Sequence, residues 1–367
     1  MKLADKYSCV GCGACAQKCP KGCISMMADH ADGFLYPAID KESCIDCGAC
    51  AKVCPTFDRH EETSANYAYA YQNNNELVLR CSSSGGLFSA LATDTIKNGG
   101  VVFGARFDAN WQVAIDYTET IDGISDFRGS KYVQAKIGNS YNVVKSFLDS
   151  GRRVLFSGTP CQVVGLKSFL NKDYNLLLTI DVICHGVPSP MVWQKYLEEQ
   201  KEPVRVVRFR DKASGWKRYG TTIGEQSGPY WENTYMKAFL GNIDLRLSCS
   251  TCMFKAGKSG SDMTIGDFWG IDKIKPEIDN DRGLCCVIFN SKKGEGVCSH
   301  LGLMGPFSID LVRQHNPSYN SPSAHNINRS YFFDRLQSDS FSRSYEKTLS
   351  SSVLRRIERK LFRALKK

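Results

Sequence analysis

The 367-residue chain is 42% hydrophobic and 23% charged, carries a net charge of +9 and contains seventeen cysteines. This composition suits a globular protein with one sizeable core and a smaller module. It offers no apolar run long enough to span a bilayer, and the start "MKLADKYSCVGC" lacks the apolar stretch of a secretory signal. The expected location is therefore cytoplasmic, where so many cysteines point to metal or redox use rather than to disulfides. Residues 353–367, with seven Lys/Arg and one Glu, hold +6 of the charge and leave +3 for the rest (9 − 6). Charge thus gives no reason to expect a nucleic-acid partner.

In chain order, the first feature is a repeat. "CVGCGACAQKCP" begins at Cys9, and "CIDCGACAKVCP" begins 35 residues later at Cys44. The segment "GFLYPAID" between them could supply short strands. The polar "TFDRHEETSAN" after Pro55 reads as a linker, which makes residues 1–60 the first module. "GGLFSALATDTIKNG" then predicts a helix ending at Gly99 and Gly100, and "GVVFGARFD" a strand. A helix is expected over "NSYNVVKSFLDSG", a strand over "RRVLFSG", a helix over "PCQVVGLKSFL" and a strand over "NLLLTIDVIC". That alternation predicts βαβ units and a mostly parallel sheet. Shorter strands such as "VRVVRFR" and "CCVIFN" follow from about residue 191. The fold class is therefore an N-terminal ferredoxin-like module (α+β) followed by a mixed α/β domain over 61–345, with a separate tail over 346–367.

The repeat carries chemistry. C-x2-C-x2-C-x3-C-P, twice, is the run that binds two [4Fe-4S] clusters, with each fourth cysteine serving the other cluster. Cys9, Cys12, Cys15 and Cys54 are expected to hold one cluster, and Cys44, Cys47, Cys50 and Cys19 the other. A structural zinc site would use paired knuckles rather than two identical four-cysteine runs. Cys23 lies outside the repeat and reads as a bystander.

A second set is dispersed. Thr159 and Pro160 suit the cap and first position of a helix, so Cys161 falls in its first turn, where N–H groups and the dipole favour a thiolate. Cys184 ends the next strand, beyond the carboxyl edge where open α/β sheets bind ligands. "SCSTCMFK" adds Cys249 and Cys252. The four thiols could complete a third cluster. Alternatively Cys161 and Cys184 are buried small hydrophobes and Cys249/Cys252 a separate pair. Cys285 and Cys286 read as core, Cys81 and Cys298 as structural, and His185 as a weak candidate proton donor.

Seven motifs now stand in order: "SSSGGLFSAL", "RGSKYVQ", "GTPCQ", "DVICHGVPSP", "FRDK" with "GWK", "SCSTCMFK" and "DMTIGDFWG". Together with the front repeat they resemble the beta-subunit family of coenzyme F-420 hydrogenases and dehydrogenases, carrying a fused two-cluster ferredoxin domain. The resemblance covers about residues 1–300. It implies FAD and a further [4Fe-4S] cluster in the second region. It also implies electron transfer among clusters, flavin and a substrate or carrier, F-420 being one candidate. It favours the third-cluster reading of Cys161, Cys184, Cys249 and Cys252. It also suggests that Ser82, Ser83, Ser84, Gly85 and Gly86, with Arg128, Gly129, Ser130, Lys131 and Tyr132, line the FAD. From the residues alone, Gly85 and Gly86 could present N–H groups to a pyrophosphate or form an ordinary helix cap. Arg128 and Lys131 could neutralise phosphate or reduced flavin, and Lys131 joins His185 as a weak catalytic candidate. Trp269 suits either a flavin contact or core packing. No G-x-G-x-x-G occurs.

In the tail, Leu354, Ile357, Leu361 and Leu365 recur at helical spacing opposite Arg/Lys-rich positions. Such a helix could rest on the inner face of an anionic membrane or dock on a partner. The expected protein is an iron–sulfur flavoprotein oxidoreductase served by a ferredoxin or other redox carrier. The alternative is an electron-transfer subunit without its own substrate site, serving a partner enzyme.

Overall fold

The computed structural model describes residues 3–350, apart from residues 59 and 64, so the basic helix expected over 353–367 lies outside the described residues. The front module is built from two short helices, α1 (Ala14–Lys18) and α2 (Ala49–Lys52), and a hairpin of β1 (Ile24–Ala28) and β2 (Leu35–Ile39). Each helix starts at a glycine in the left-handed region, Gly13 at φ +69° and Gly48 at φ +72°, a conformation a side chain would disfavour.

The rest is organised on an eight-stranded sheet. Its strands are β3 (Tyr67–Tyr71), β4 (Val101–Phe107), β5 (Val113–Thr118), β6 (Val154–Gly158), β7 (Leu177–Val182), β11 (Met263–Asp267), β12 (Cys285–Phe289) and β13 (Met304–Ser308). They lie in the order β13-β3-β12-β11-β7-β6-β4-β5. A small three-stranded sheet joins β8 (Val207–Asp211), β9 (Gly220–Ile223) and β10 (Gln226–Pro229). The expectation of a mostly parallel sheet needs correction. Only the central run β4-β6-β7-β11 is parallel, and both flanks are antiparallel.

The centre follows from its sequence. Continuous apolar strands such as "RRVLFS" and "NLLLTIDV" suit a sheet covered on both faces. Val101, Phe103, Val154 and Phe156 point into one core, and the alternating Val102 and Leu155 into another. A short helix, α3 (Glu76–Cys81), leads from β3 to the longer α4 (Leu87–Lys97). Helices α5 (Ser140–Asp149) and α6 (Pro160–Leu170) cover the first face, and α4 the second. α6 starts as expected, with Thr159 as cap and Pro160 in its first turn, and Gln162 Oε1 accepts from Thr159 N at 2.9 Å.

The front module shares the larger core. Val10, Cys12, Ala14, Phe34 and Val53 are buried in the same cluster as Phe156, Val163 and Trp193. Gln17 Oε1 accepts from the N–H groups of Tyr141 and Asn142 at 3.0 and 3.1 Å, closing the start of α5 from the neighbouring module. Lys18 Nζ donates to Phe169 O at 2.9 Å. The buried Asp32 pairs with Arg329 at 3.1 Å, tying the β1–β2 hairpin to a helix near the far end of the described chain. Ser-rich residues 341–350 are helical, with Phe341, Ser344 and Thr348 buried.

Candidate cofactor sites

Three small cavities are each ringed by thiols. The first is lined by Cys9, Cys12, Cys15 and Cys54. The second is lined by Cys19, Cys44, Cys47 and Cys50, and also by Cys23. The third is lined by Cys161, Cys184, Cys249 and Cys252. The geometry thus places the twelve cysteines in three sets of four, with Cys19 and Cys54 exchanged between the two copies of the repeat and the four dispersed cysteines brought together. Among the described residues no three His, Cys, Asp or Glu side chains converge on a single-ion site. Each ring supplies four thiols, the number of ligands a [4Fe-4S] cube takes.

The third ring is assembled from three segments. Cys161 is in the first turn of α6, 3.2 Å from Thr159 Oγ1. Cys184 follows β7, and Cys249 and Cys252 sit in and just after a short 3-10 turn, Leu247–Thr251. Burial pushes the Cys161 thiol up to about 12 and the Cys249 thiol up to about 11. In the first ring burial likewise raises Cys15 to about 12. Thiols in such surroundings ionise only if a metal takes the place of the proton. Two cations face the third ring, Arg246 and Lys255, 1% and 6% exposed. A buried cation is costly without a counter-charge, and an anionic thiolate cluster supplies one. The donor set therefore fits a [4Fe-4S] cluster in all three rings.

Cys23 is a residue the sequence undervalues. It is buried, and its Sγ lies 3.3 Å from Cys19 Sγ, inside the second ring. The homologous position in the other copy is Asp58, so the repeat itself carries no signal for it. Cys285, Cys286 and Cys298 are buried as expected, whereas Cys81 is exposed.

A fourth, larger cavity of about 460 Å³ opens at the carboxyl ends of the parallel strands, where Gly158, Val182, Gly266 and Asp267 line it. Its size falls within the range of cofactor sites. Nine of the ten expected flavin residues line it: Ser82, Ser83, Ser84, Gly86, Arg128, Gly129, Ser130, Lys131 and Tyr132. Gly85 does not. It sits behind the loop, its N–H donating to Cys285 Sγ at 3.1 Å. A Cβ there would meet Tyr71 O at 2.1 Å and Cys285 N at 2.6 Å. α4 begins at Gly86 with no side-chain cap, and Leu87, Phe88 and Ser89 of its first turn line the cavity, where a helix start favours an anion. Ser83 Oγ meets Ser130 Oγ at 2.8 Å, joining the two expected loops.

Lys131 is engaged within its own loop. Its Nζ donates to the carbonyls of Asp126, Arg128 and Gly129 at 2.9, 2.7 and 3.2 Å. An ammonium has three donors, so Lys131 shapes its own loop, and burial pulls it down to about 7. Lys212 does the same for the serine loop, donating to Leu79 O, Ser84 O and Arg282 O at 2.6, 2.9 and 2.8 Å. The wall also carries Arg210, which the sequence supplied only as part of "FRDK". Arg210 pairs with Asp267 at 2.7 Å and lies 4.0 Å over the Tyr219 ring. Trp216 Nε1 donates to the other Asp267 oxygen at 2.8 Å, and Trp216 stacks on Trp269 at 4.6 Å. Trp269 therefore both packs and lines the cavity.

The cavities form a succession. Cys15 and Cys50 belong to one apolar cluster between the second and first rings. Val10 lines both the first and third rings. Cys184, His185, Gly186 and Val187 line both the third ring and the large cavity. His185 holds Asn242 Oδ1 at 2.6 Å, and burial lowers its pKa.

Among the described residues no helix is long and apolar enough to cross a membrane. Residues 151–310 match the family described as the C terminus of the beta subunit of coenzyme F420 hydrogenase/dehydrogenase. Residues 8–57 match a 4Fe-4S dicluster domain, and residues 39–83 the 4Fe-4S single cluster domain of Ferredoxin I. No curated protein matches the chain. Among solved structures, the xenon-derivatised F420-reducing [NiFe] hydrogenase complex from Methanosarcina barkeri is similar at 15% identity. That match covers 81% of this chain and 94% of that one, with a TM-score of 0.47. Residues 151–310 thus carry the carboxy-terminal region of the beta-subunit family of coenzyme F420 hydrogenase/dehydrogenase, behind a 4Fe-4S dicluster domain at residues 8–57.

Proposed function

We propose that this protein is an iron–sulfur flavoprotein oxidoreductase. It passes electrons between three [4Fe-4S] clusters, FAD and a small-molecule substrate or carrier. The observation that carries the reading is the unbroken succession of four cavities, in which each neighbouring pair shares residues or an apolar cluster. In this reading Cys44, Cys47, Cys50 and Cys19 hold the outer cluster, near the surface, where Cys47 is exposed. Cys9, Cys12, Cys15 and Cys54 hold the middle one, and Cys161, Cys184, Cys249 and Cys252 the inner one.

FAD, when bound, supplies the exchange between one-electron and two-electron chemistry. The chain's own residues do the rest. The start of α4 and Arg128 offer donors and positive charge to its phosphates. Lys131 and Lys212 hold the two loops open in the required shape. Arg210, fixed by Asp267 and by the Tyr219 ring, presents a rigid cation to the large cavity. The backbone of 184–187 forms a thin partition between the inner thiol ring and that cavity.

Anaerobic purification followed by iron and flavin counting tests this. The expected result is about twelve iron atoms per chain, as for three four-iron clusters, with one FAD. About eight iron with flavin would remove the inner cluster. Absence of flavin would leave an electron-transfer subunit that depends on a partner enzyme for its substrate.

A further inference from the structure

The inner and middle thiol rings are joined by one side chain. Arg246 is 1% exposed. Its Nε donates to Cys9 O at 2.8 Å, and its two terminal nitrogens reach Gln134 Oε1 at 2.8 Å and Leu35 O at 3.0 Å. One of them also lies 3.6 Å from Cys9 Sγ. On its other side the same residue lines the inner ring. Its carbonyl accepts from Cys249 N at 3.0 Å. A continuous track of covalent and hydrogen bonds thus runs from the sulfur of Cys9 through Arg246 to Cys249.

The charge of Arg246 is also unusual. All four of its acceptors are neutral groups or a thiol, and among the described residues no carboxylate pairs with it. The nearby Asp32 is taken by Arg329 and Lys6. The rings of Tyr36 and Phe34, 4.3 and 5.3 Å from the guanidinium, close off solvent. A desolvated guanidinium without a carboxylate is an expensive thing to bury. The space around Gly11 is reserved for it, since a Cβ at that glycine would meet the guanidinium at 2.7 Å.

We infer that Arg246 is the shared counter-charge of the middle and inner clusters and the bridge for electrons between them. This rests on the cluster assignments proposed above. A fixed cation favours the more negative, reduced form of each cluster, so it raises both reduction potentials together. The common shift leaves the gap between the two steps unchanged, and the side chain supplies a through-bond route between them. Arg246 is a positioning residue and takes no part in bond making.

The test is potentiometric EPR on the full chain, with iron counting, comparing Arg246→Gln and Arg246→Lys with the parent. In Arg246→Gln the middle and inner clusters are expected to become at least tenfold harder to reduce, about 59 mV for a one-electron couple. The outer cluster should not move. Arg246→Lys, which keeps the charge, should hold both potentials near the parent. Joint loss of iron from the middle and inner sites in Arg246→Gln, with retention in Arg246→Lys, is the same result read as loading. Unchanged potentials in Arg246→Gln would overturn the inference. So would equal failure of both variants, which would make the fork's hydrogen bonds, not its charge, the essential feature. Parent protein with fewer than three clusters would instead count against the proposed function.

Discussion

At the scale of single residues, the dispersed thiols make the sharpest prediction. Cys161 is held by a helix start and looks into a ring whose other members come from two distant segments. Cys161→Ala is expected to lose about four iron atoms, those of one cube, and to keep about eight. Chemical iron analysis alongside the EPR of the remaining clusters measures both. Unchanged iron would return Cys161 to a buried thiol. The grouping of the front-module cysteines was legible in the sequence because their spacing is local. Arg246, Arg210 and Lys212 were not legible as site residues, because each acts through groups far along the chain. Lys212 reaches carbonyls 70 to 133 residues away, and no local pattern marks such a contact. Lys131 was legible as a cavity residue, but a sequence shows a lysine and not where its three protons go, here to carbonyls of its own loop.

At the scale of elements, the serine loop depends on how closely β3 and β12 approach it. Gly85→Ala places a methyl against two backbone atoms of paired strands, Tyr71 O and Cys285 N. Backbone cannot rotate away as a side chain can, so the loop must shift. The expected result is a loss of about 1–3 kcal/mol, as for overpacking, and at least tenfold weaker FAD binding by fluorescence titration. Gly296→Ala is a matched control, with open space around its Cβ. Normal flavin affinity in Gly85→Ala would mean that the loop does not shape the site. The central helices and strands were readable because apolar period and cap residues agree there. The antiparallel flanks were not, because β3, β12 and β13 are recruited from segments whose pairing is set only by tertiary packing.

At the scale of the whole molecule, one carboxylate works against stability. Asp244 is fully buried and neither side-chain oxygen has a partner among the described residues. Burial pushes its pKa up to about 7, against an ordinary value of 3.8. The folded state therefore holds the proton more tightly than the unfolded state. Its destabilising contribution is absent below about pH 4, grows as pH rises through 4 to 7 and is complete above 7. Asp244→Asn is expected to flatten that slope and to raise the apparent melting temperature at pH 8 more than at pH 5. Thermal melts of both proteins across pH 5 to 8 check it. An equal shift at both pH values would exclude ionisation as the cause.

The contact between α6 and the front module sets how the whole chain works in time. Gly165, one turn along the helix from Cys161, leaves so little room that a Cβ there would meet Cys12 Cβ at 2.7 Å. One rigid rod thus touches the middle and inner rings at once, while Lys18 bonds the far end of the same helix and Gln17 the start of α5. No swinging arm separates these two thiol rings. Raising solvent viscosity should slow the arrival of an external carrier and leave internal electron passage unchanged, so that turnover is paced at the protein's surface rather than within it. Laser-flash reduction in glycerol solutions separates the two rates.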